Sequence, residues 1–82
     1  MITVRVLLFG HYKDVFPGGE TALELPHGAT ATDAANALAA QNHRFAKLLT
    51  QTRIAVRESF AAPETVLEQG DEIAFLPPMS GG

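Results

Sequence analysis

The sequence contains no cysteine, and in a chain of 82 residues this absence limits the fold more than any other feature. A domain of this size buries only about 60% of the surface that its unfolded chain exposes, so small domains often depend on disulfides or metal ions. Without cysteine, disulfides, a thiolate nucleophile, cysteine-ligated zinc and iron–sulfur clusters are all excluded. We therefore expect a single domain with a modest apolar core that a partner protein supports.

The charge distribution favours a protein partner. The net charge is −3 and the six basic residues are spread along the chain, which argues against nucleic acid, because phosphate backbones are bound by a concentrated basic face.

No apolar run reaches the roughly 18 to 20 residues that span a bilayer, and no signal-peptide pattern opens the sequence, so we expect a cytoplasmic protein without a membrane partner. Residues 58–82 carry five acids and no base, which predicts a solvated or partner-facing surface: Glu58, Glu64, Glu68, Asp71 and Glu72.

Alternating apolar residues predict two strands at the start of the chain. In residues 2–9 one parity is wholly apolar and should face the core, while Leu7 and Phe9 lie on the opposite face. That second face is more apolar than a solvated surface requires, so something should cover it. Residues 21–25 alternate in the same way after a Pro-Gly-Gly turn, which predicts a hairpin.

The middle of the chain predicts helices. Thr30 or Thr32 can cap a helix that runs to about Gln41 and buries mainly alanines. Phe45, Leu48 and Leu49 have the spacing of a second short helical turn.

Two further strands are expected, at residues 54–56 and 72–76. The second ends at Pro77-Pro78, because proline cannot donate to a strand ladder. This order of elements predicts an α+β fold of the β-grasp (ubiquitin-like) class, a mixed sheet of about four to five strands with one main helix on one face. In that arrangement the first and last strands lie side by side and parallel, so Leu7, Phe9 and Leu76 form one outward patch, unless the chain's own loop covers Leu7 and Phe9. We expect residues 1–76 to form the domain and 77–82 to project as a flexible tail.

Conventional catalytic machinery is not visible in the sequence. The three histidines lack the spacing of zinc ligands, neither serine lies in a nucleophile elbow, and no glycine-rich loop has nucleotide-binding spacing. We therefore predict no metal or cofactor bound by this chain. The remaining candidates for a reactive site are Gly81 and Gly82. Because they lack Cβ atoms, they can enter a narrow channel, and the Gly82 carboxylate is open to acyl chemistry once it is activated. The alternative is a frayed terminus of small residues.

The last thirteen residues, GDEIAFLPPMSGG, resemble the C-terminal signature of the small subunit of molybdopterin synthase, the MoaD-type family of sulfur carriers. In that family a Gly-Asp-Glu turn and an apolar strand lead into a diproline and a terminal Gly-Gly. The order and length of the earlier segments also agree, so the resemblance covers essentially the whole chain. One departure is Arg57, where many relatives have asparagine.

The resemblance implies a function for the tail. An activating enzyme of the MoeB type, using ATP and magnesium, would adenylate Gly82, and the product would become a thiocarboxylate. The tail residues would insert into a large subunit of the MoaE type: Pro77, Pro78, Met79, Ser80 and Gly81. The sulfur would pass to cyclic pyranopterin monophosphate (precursor Z) in a heterotetramer.

The same resemblance implies different roles for the two subunits. This chain would be the sulfur-donating subunit of a sulfurtransferase, with Leu7, Phe9 and Leu76 as partner-binding residues. Pterin-binding and acid/base residues would belong to the partner, so no catalysis is expected from this chain alone. Two alternatives stay open: a carrier of the same fold for thiamine, cysteine or tRNA thiolation, and a ubiquitin-like modifier or interaction module.

Overall fold

A computed structural model describes residues 1–10, 16–48 and 52–76 of the chain. The tail residues 77–82, which carry the predicted sulfur chemistry, lie outside the described residues, and so do 11–15 and 49–51. The division into a domain and a flexible tail therefore stays a prediction. The elements are, in chain order, β1 (Ile2–Leu8), a 3-10 turn (Pro17–Gly19), β2 (Glu20–Leu25), α1 (Ala31–Gln41), α2 (His43–Leu48), β3 (Arg53–Val56), β4 (Ser59–Phe60) and β5 (Glu72–Leu76).

The strands form one mixed sheet in the order β2-β1-β5-β3-β4. β1 and β5 pair in parallel, whereas β1 with β2, β3 with β5 and β3 with β4 pair antiparallel. This arrangement confirms the predicted α+β, β-grasp fold, with the first and last strands side by side. The two-residue strand β4 was not predicted, because two residues are too few to show an alternating pattern.

The apolar core lies on one face of the sheet and confirms the predicted parity. The inward residues of β1 are almost completely buried, as are Ile73 and Phe75 of β5. Helix α1 covers this face with small residues and one leucine: Ala31, Ala34, Ala35 and Leu38. Because alanine is short, the helix can lie close to the sheet.

Helix α1 begins with a capping box at Thr30. The Thr30 hydroxyl accepts a hydrogen bond from the Asp33 N–H (3.3 Å), and the Asp33 carboxylate accepts one from the Thr30 N–H (2.9 Å). Thr32, the other predicted cap, instead donates its hydroxyl to the Pro63 carbonyl (2.9 Å). The capping box thus satisfies two backbone N–H groups that would otherwise be unpaired at the start of the helix.

The predicted second helical element is confirmed as α2. Its residue Phe45 is fully buried and packs edge-to-face against Phe75, with ring centroids 5.2 Å apart and an angle of 86° between the rings. Such pairs add to the stabilisation from burial alone. Phe45 therefore fastens α2 to the central strand β5.

The loop between β4 and β5 forms hydrogen bonds to Ala29, which precedes α1, and to Thr3 of β1. The Leu67 N–H donates to Ala29 (2.8 Å), and the Leu67 side chain is buried. The Gly70 N–H donates to the Thr3 carbonyl (2.8 Å) with φ of 83°, a left-handed conformation that glycine adopts without steric cost. These contacts fix the point at which β5 enters the sheet. Across residues 1–10, 16–48 and 52–76, none of the helices has the length and apolarity to cross a membrane.

Candidate functional site

The sheet face opposite the core carries an apolar groove. One row of paired residues crosses four strands, with Leu7 opposite Ala74, Ala74 opposite Ala55, and Ala55 opposite Phe60. The two alanines lie in the middle of the row and the larger side chains at its ends. The pairing therefore makes a shallow floor with a wall on each side.

This groove has a volume of about 310 Å³. Its apolar lining is Leu7, Phe9, Ala55, Phe60, Ala74 and Leu76, with Glu58 and Glu72 as the two acids. We call it the sheet-face groove. Phe9 is 43% exposed and Phe60 66% exposed, whereas Leu7 and Leu76 are half-buried. Apolar side chains that gather in an exposed concave surface are typical of a binding site.

The structure brings the three predicted patch residues, Leu7, Phe9 and Leu76, into the sheet-face groove. Sequence reasoning missed Ala55, Ala74 and Phe60. The outward parity of Ala74 was visible in the sequence, but an alanine does not signal a groove floor, and Phe60 reaches the site only through the pairing of β4. The alternative that the chain's own loop covers Leu7 and Phe9 falls largely on residues 11–15, outside the described residues.

Phe60 is held by a cation–π contact. The Cζ atom of Arg53 lies 4.5 Å from the centroid of the Phe60 ring. A guanidinium over an aromatic face is attracted by the ring quadrupole and limits the motion of both side chains. The most exposed aromatic side chain of the groove is therefore partly ordered before any partner arrives, which lowers the entropy cost of binding.

A turn with unusual backbone geometry lies beside the groove. Arg57 and Glu58, which join β3 to β4, have φ of 52° and 68°. The Arg57 guanidinium forms an ion pair with the Asp71 carboxylate, and the hydrogen bond and charge of Asp71 raise the pKa of Arg57 above its ordinary value. The shift acts in the same direction as the ordinary preference of arginine for its charged form.

Asp71 corrects the prediction that the acids of residues 58–82 form a solvated or partner-facing surface. Its side chain is only 8% exposed. The Asp71 carboxylate accepts hydrogen bonds from the Arg57 guanidinium and from the Glu68 N–H (2.7 Å). This acid is a structural group at the start of β5, because a buried carboxylate needs a paired charge. Glu58 and Glu72, in contrast, line the sheet-face groove.

The described residues hold no cluster of metal-ligating side chains. Within residues 1–10, 16–48 and 52–76, no three side chains of His, Asp or Glu are grouped so that they could hold a metal ion. Gly82, the predicted reactive residue, lies outside the described residues. So does the predicted insertion segment, which consists of Pro77, Pro78, Met79, Ser80 and Gly81. Leu76, the last described residue, lies in the groove and directly precedes that segment in the sequence.

Comparisons with known proteins agree with these features. A model of the ThiS family matches residues 6–82. The chain is 33% identical to a molybdopterin synthase sulfur carrier subunit of Mycobacterium tuberculosis, and the alignment covers 100% of both chains.

Several solved structures have the same fold. A putative molybdopterin converting factor, subunit 1, from Pyrococcus furiosus superposes with a TM-score of 0.87 at 22% identity, over 96% of this chain and 100% of that one. A complex of subunits 1 and 2 of molybdopterin-converting factor from Helicobacter pylori contains a chain that superposes with a TM-score of 0.70 at 23% identity. That match covers 99% of this chain and 100% of the other.

Proposed function

The chain belongs to the ThiS family, and from that premise we propose that it is the sulfur-carrier subunit of a molybdopterin synthase. The observation that carries the proposal is the 33% identity, over the whole of both chains, to a molybdopterin synthase sulfur carrier subunit. That name favours molybdopterin over thiamine, cysteine or tRNA thiolation as the pathway. It also favours a sulfur carrier over a protein modifier.

The reacting group in this proposal is the carboxylate of Gly82. A carboxylate resists attack until one oxygen becomes a leaving group. The Gly82 carboxylate attacks the α-phosphorus of ATP and releases pyrophosphate. Hydrosulfide then attacks the carbonyl carbon, displaces AMP and loses its proton to leave a thiocarboxylate. Neither Gly81 nor Gly82 has a Cβ atom, so the carboxylate oxygen is unhindered in the first displacement and the carbonyl carbon is unhindered in the second.

The partner in the transfer step is the large subunit, a protein of the MoaE type. The Helicobacter pylori structure, which shares this fold, is described as a complex of subunits 1 and 2 of molybdopterin-converting factor. The sheet-face groove suits such a partner because it is apolar, partly ordered and adjacent in sequence to the tail. Leu7, Phe9 and Leu76 dock on the large subunit while Pro77–Gly82 enters its active site.

This small domain supplies the reactive tail, and the large subunit supplies the pocket. Six residues after Leu76 can extend roughly 20 Å, which is enough for the tail to reach a pocket inside the partner. That pocket positions the thiocarboxylate against cyclic pyranopterin monophosphate and excludes water, so the effective concentration of sulfur is high. The pterin-binding and acid/base groups belong to the large subunit, and the complex acts as the sulfurtransferase.

Charging takes place on a second partner. An activating enzyme of the MoeB type binds ATP and magnesium and performs the adenylation, so this chain holds no cofactor of its own. Both partners act in the cytoplasm in this proposal.

Intact-mass measurement tests the carrier function. The chain is incubated with an activating enzyme, ATP, magnesium and a sulfur donor, and we expect the mass gain that corresponds to one oxygen replaced by sulfur. A variant that lacks Gly82 should fold and show no gain. Absence of the gain in the unaltered chain, under conditions that charge a known carrier, would contradict the proposal. Adducts joined to lysine without a thiocarboxylate would favour a protein modifier instead.

A further inference from the structure

The turn between β3 and β4 has a backbone conformation that its residues disfavour. Arg57 and Glu58 form a two-residue hairpin loop in which both φ angles are positive, as in a type I′ turn. That turn is usually made by Asn-Gly, Asp-Gly or Gly-Gly, because a Cβ atom crowds the left-handed conformation. In the described part of the chain, no other residue apart from glycine has a positive φ. Something outside the loop must hold it.

Contacts with the start of β5 hold this turn. The Arg57 guanidinium pairs with the buried Asp71 carboxylate, which the Glu68 N–H also fixes (2.7 Å). The backbone N–H of Arg57 donates to the Glu72 carbonyl (3.0 Å). The turn is thus fastened to the central strand of the sheet by one side-chain and one main-chain contact. Backbone strain that the surroundings maintain in this way is often found at functional sites.

The turn leads directly into one wall of the sheet-face groove. Glu58 lines the groove, and Phe60 is two residues further along. The strand β4 that carries Phe60 consists of two residues, paired at Ala55–Phe60 and Val56–Ser59, and the Ala61 N–H donates to the Ile54 carbonyl just beyond it (3.0 Å). With so short a ladder, the direction of Phe60 depends on the turn before it as well as on these pairings.

We propose that Arg57 is a positioning residue for the docking surface. Through its ion pair with Asp71, Arg57 keeps the turn in its left-handed conformation and so sets Glu58 and Phe60 in the wall that meets the partner. This inference rests on the proposed function, since the large subunit is the partner whose binding it affects. Arg57 itself does not touch the partner.

Three substitutions at this position separate the contributions. Arg57→Ala removes the ion pair and leaves a Cβ atom in the strained backbone, so it should weaken binding of the large subunit by about tenfold. Arg57→Gly removes the ion pair but tolerates a positive φ, so its affinity should lie between those of Arg57→Ala and the unaltered chain. Arg57→Lys keeps a cation near Asp71 and should restore most of the affinity. Arg44→Ala, an exposed arginine on α2, is the matched control and should bind normally.

A double-mutant cycle tests whether Arg57 acts through Phe60. The dissociation constant for the large subunit is measured by calorimetry for the unaltered chain, Arg57→Ala, Phe60→Ala and the double variant. If Arg57 positions Phe60, the effect of Arg57→Ala should fall to less than about twofold when Phe60 is already alanine. Amide NMR shifts of Ser59 and Phe60 should move in Arg57→Ala and return toward their original positions in Arg57→Gly.

Several results would overturn the inference. Equal losses in Arg57→Ala and Arg57→Gly would mean that the guanidinium contacts the partner itself. Normal affinity in both, or an Arg57→Ala effect of the same size with and without Phe60, would mean that the turn does not position the wall. Should Arg57→Ala fail to fold, Arg57→Gly provides the same cycle. If the unaltered chain does not bind the large subunit, the proposed function fails; if it binds and Arg57 variants bind equally well, only this inference fails.

Discussion

Phe60 is the most exposed aromatic side chain in the sheet-face groove, and its ring is already held by Arg53. We expect Phe60→Ala to weaken the complex with the large subunit by about 2 kcal/mol, the scale of an interface hot spot. The melting temperature should change little, because the side chain is mostly in water. Binding calorimetry and thermal unfolding of the same samples measure both quantities.

Val66→Ala provides the control for Phe60. Val66 is exposed to a similar extent, at 53%, but does not line the groove. Its truncation should leave partner affinity unchanged. A loss of stability in Phe60→Ala as large as the loss of affinity would show that Phe60 belongs to the fold and not to the docking surface.

At the scale of residues, side-chain parity was enough to predict part of the site. Leu7 and Phe9 stood out because large apolar residues occupied the parity opposite the core. Ala55 could not be recognised in the same way, since its importance lies in being small between larger neighbours. Asp71 was grouped with the surface acids because its pairing with Arg57 spans fourteen positions and depends on how the β3–β4 hairpin meets the loop before β5.

At the scale of elements, the start of α1 gives a prediction independent of the partner. The capping box at Thr30 satisfies groups that would otherwise be unpaired at the first turn. We expect Thr30→Ala to lower the free energy of unfolding by about 1 kcal/mol, measured by urea denaturation. Sulfur charging of the folded variant should be normal, because α1 lies on the face of the sheet away from the groove.

Asn36→Ala is the matched control on the same helix. Asn36 is exposed in the middle of α1, where alanine is a better helix former than asparagine. That substitution should not lower stability. An equal loss in both variants, or none in Thr30→Ala, would contradict the importance of the cap.

The elements themselves were largely predictable, and the exceptions have physical reasons. β1, β2, α1 and β5 carry enough residues for a period of 2 or 3.6 to appear. α2 was visible from three apolar residues, of which Phe45 proves to be the buried anchor. β4 is different, because it exists only through its pairing with β3, and its turn lacks the Asn-Gly or Asp-Gly sequence that announces such hairpins.

At the scale of the whole molecule, the negative charge should assist association. The chain has a net charge of −3, and Glu58 and Glu72 line one part of the docking groove. Acids around an apolar surface attract a basic partner surface and raise the association rate. We expect the association rate with the large subunit to fall as salt is added, because at 0.1 M ions largely screen attraction between charges more than roughly 10 Å apart.

Neutral variants identify which charges are responsible. Glu58→Gln and Glu72→Gln should each reduce the salt dependence of the association rate, measured by stopped-flow mixing. Glu24→Gln, on β2 and outside the groove, is the matched control. An association rate that does not change with salt in the unaltered chain would rule out this electrostatic contribution.

The absence of cysteine is consistent with the proposed sulfur chemistry. A chain without thiols can still carry sulfur if the sulfur is bound to the main-chain carboxyl of its last residue. No side-chain thiol then competes for the acyl-adenylate. The small core is also consistent with the proposed function, since a carrier presents a docking face and a reactive end and does not enclose the substrate.

Sulfur transfer by the charged chain is the most direct test of the proposed function. The thiocarboxylated protein is mixed with the large subunit and cyclic pyranopterin monophosphate, and molybdopterin is quantified while the mass of the chain is followed. We expect molybdopterin to form as the thiocarboxylate returns to the carboxylate, with one chain discharged for each dithiolene sulfur. A thiocarboxylate that persists without molybdopterin, although the large subunit is active with a known carrier, would contradict the account.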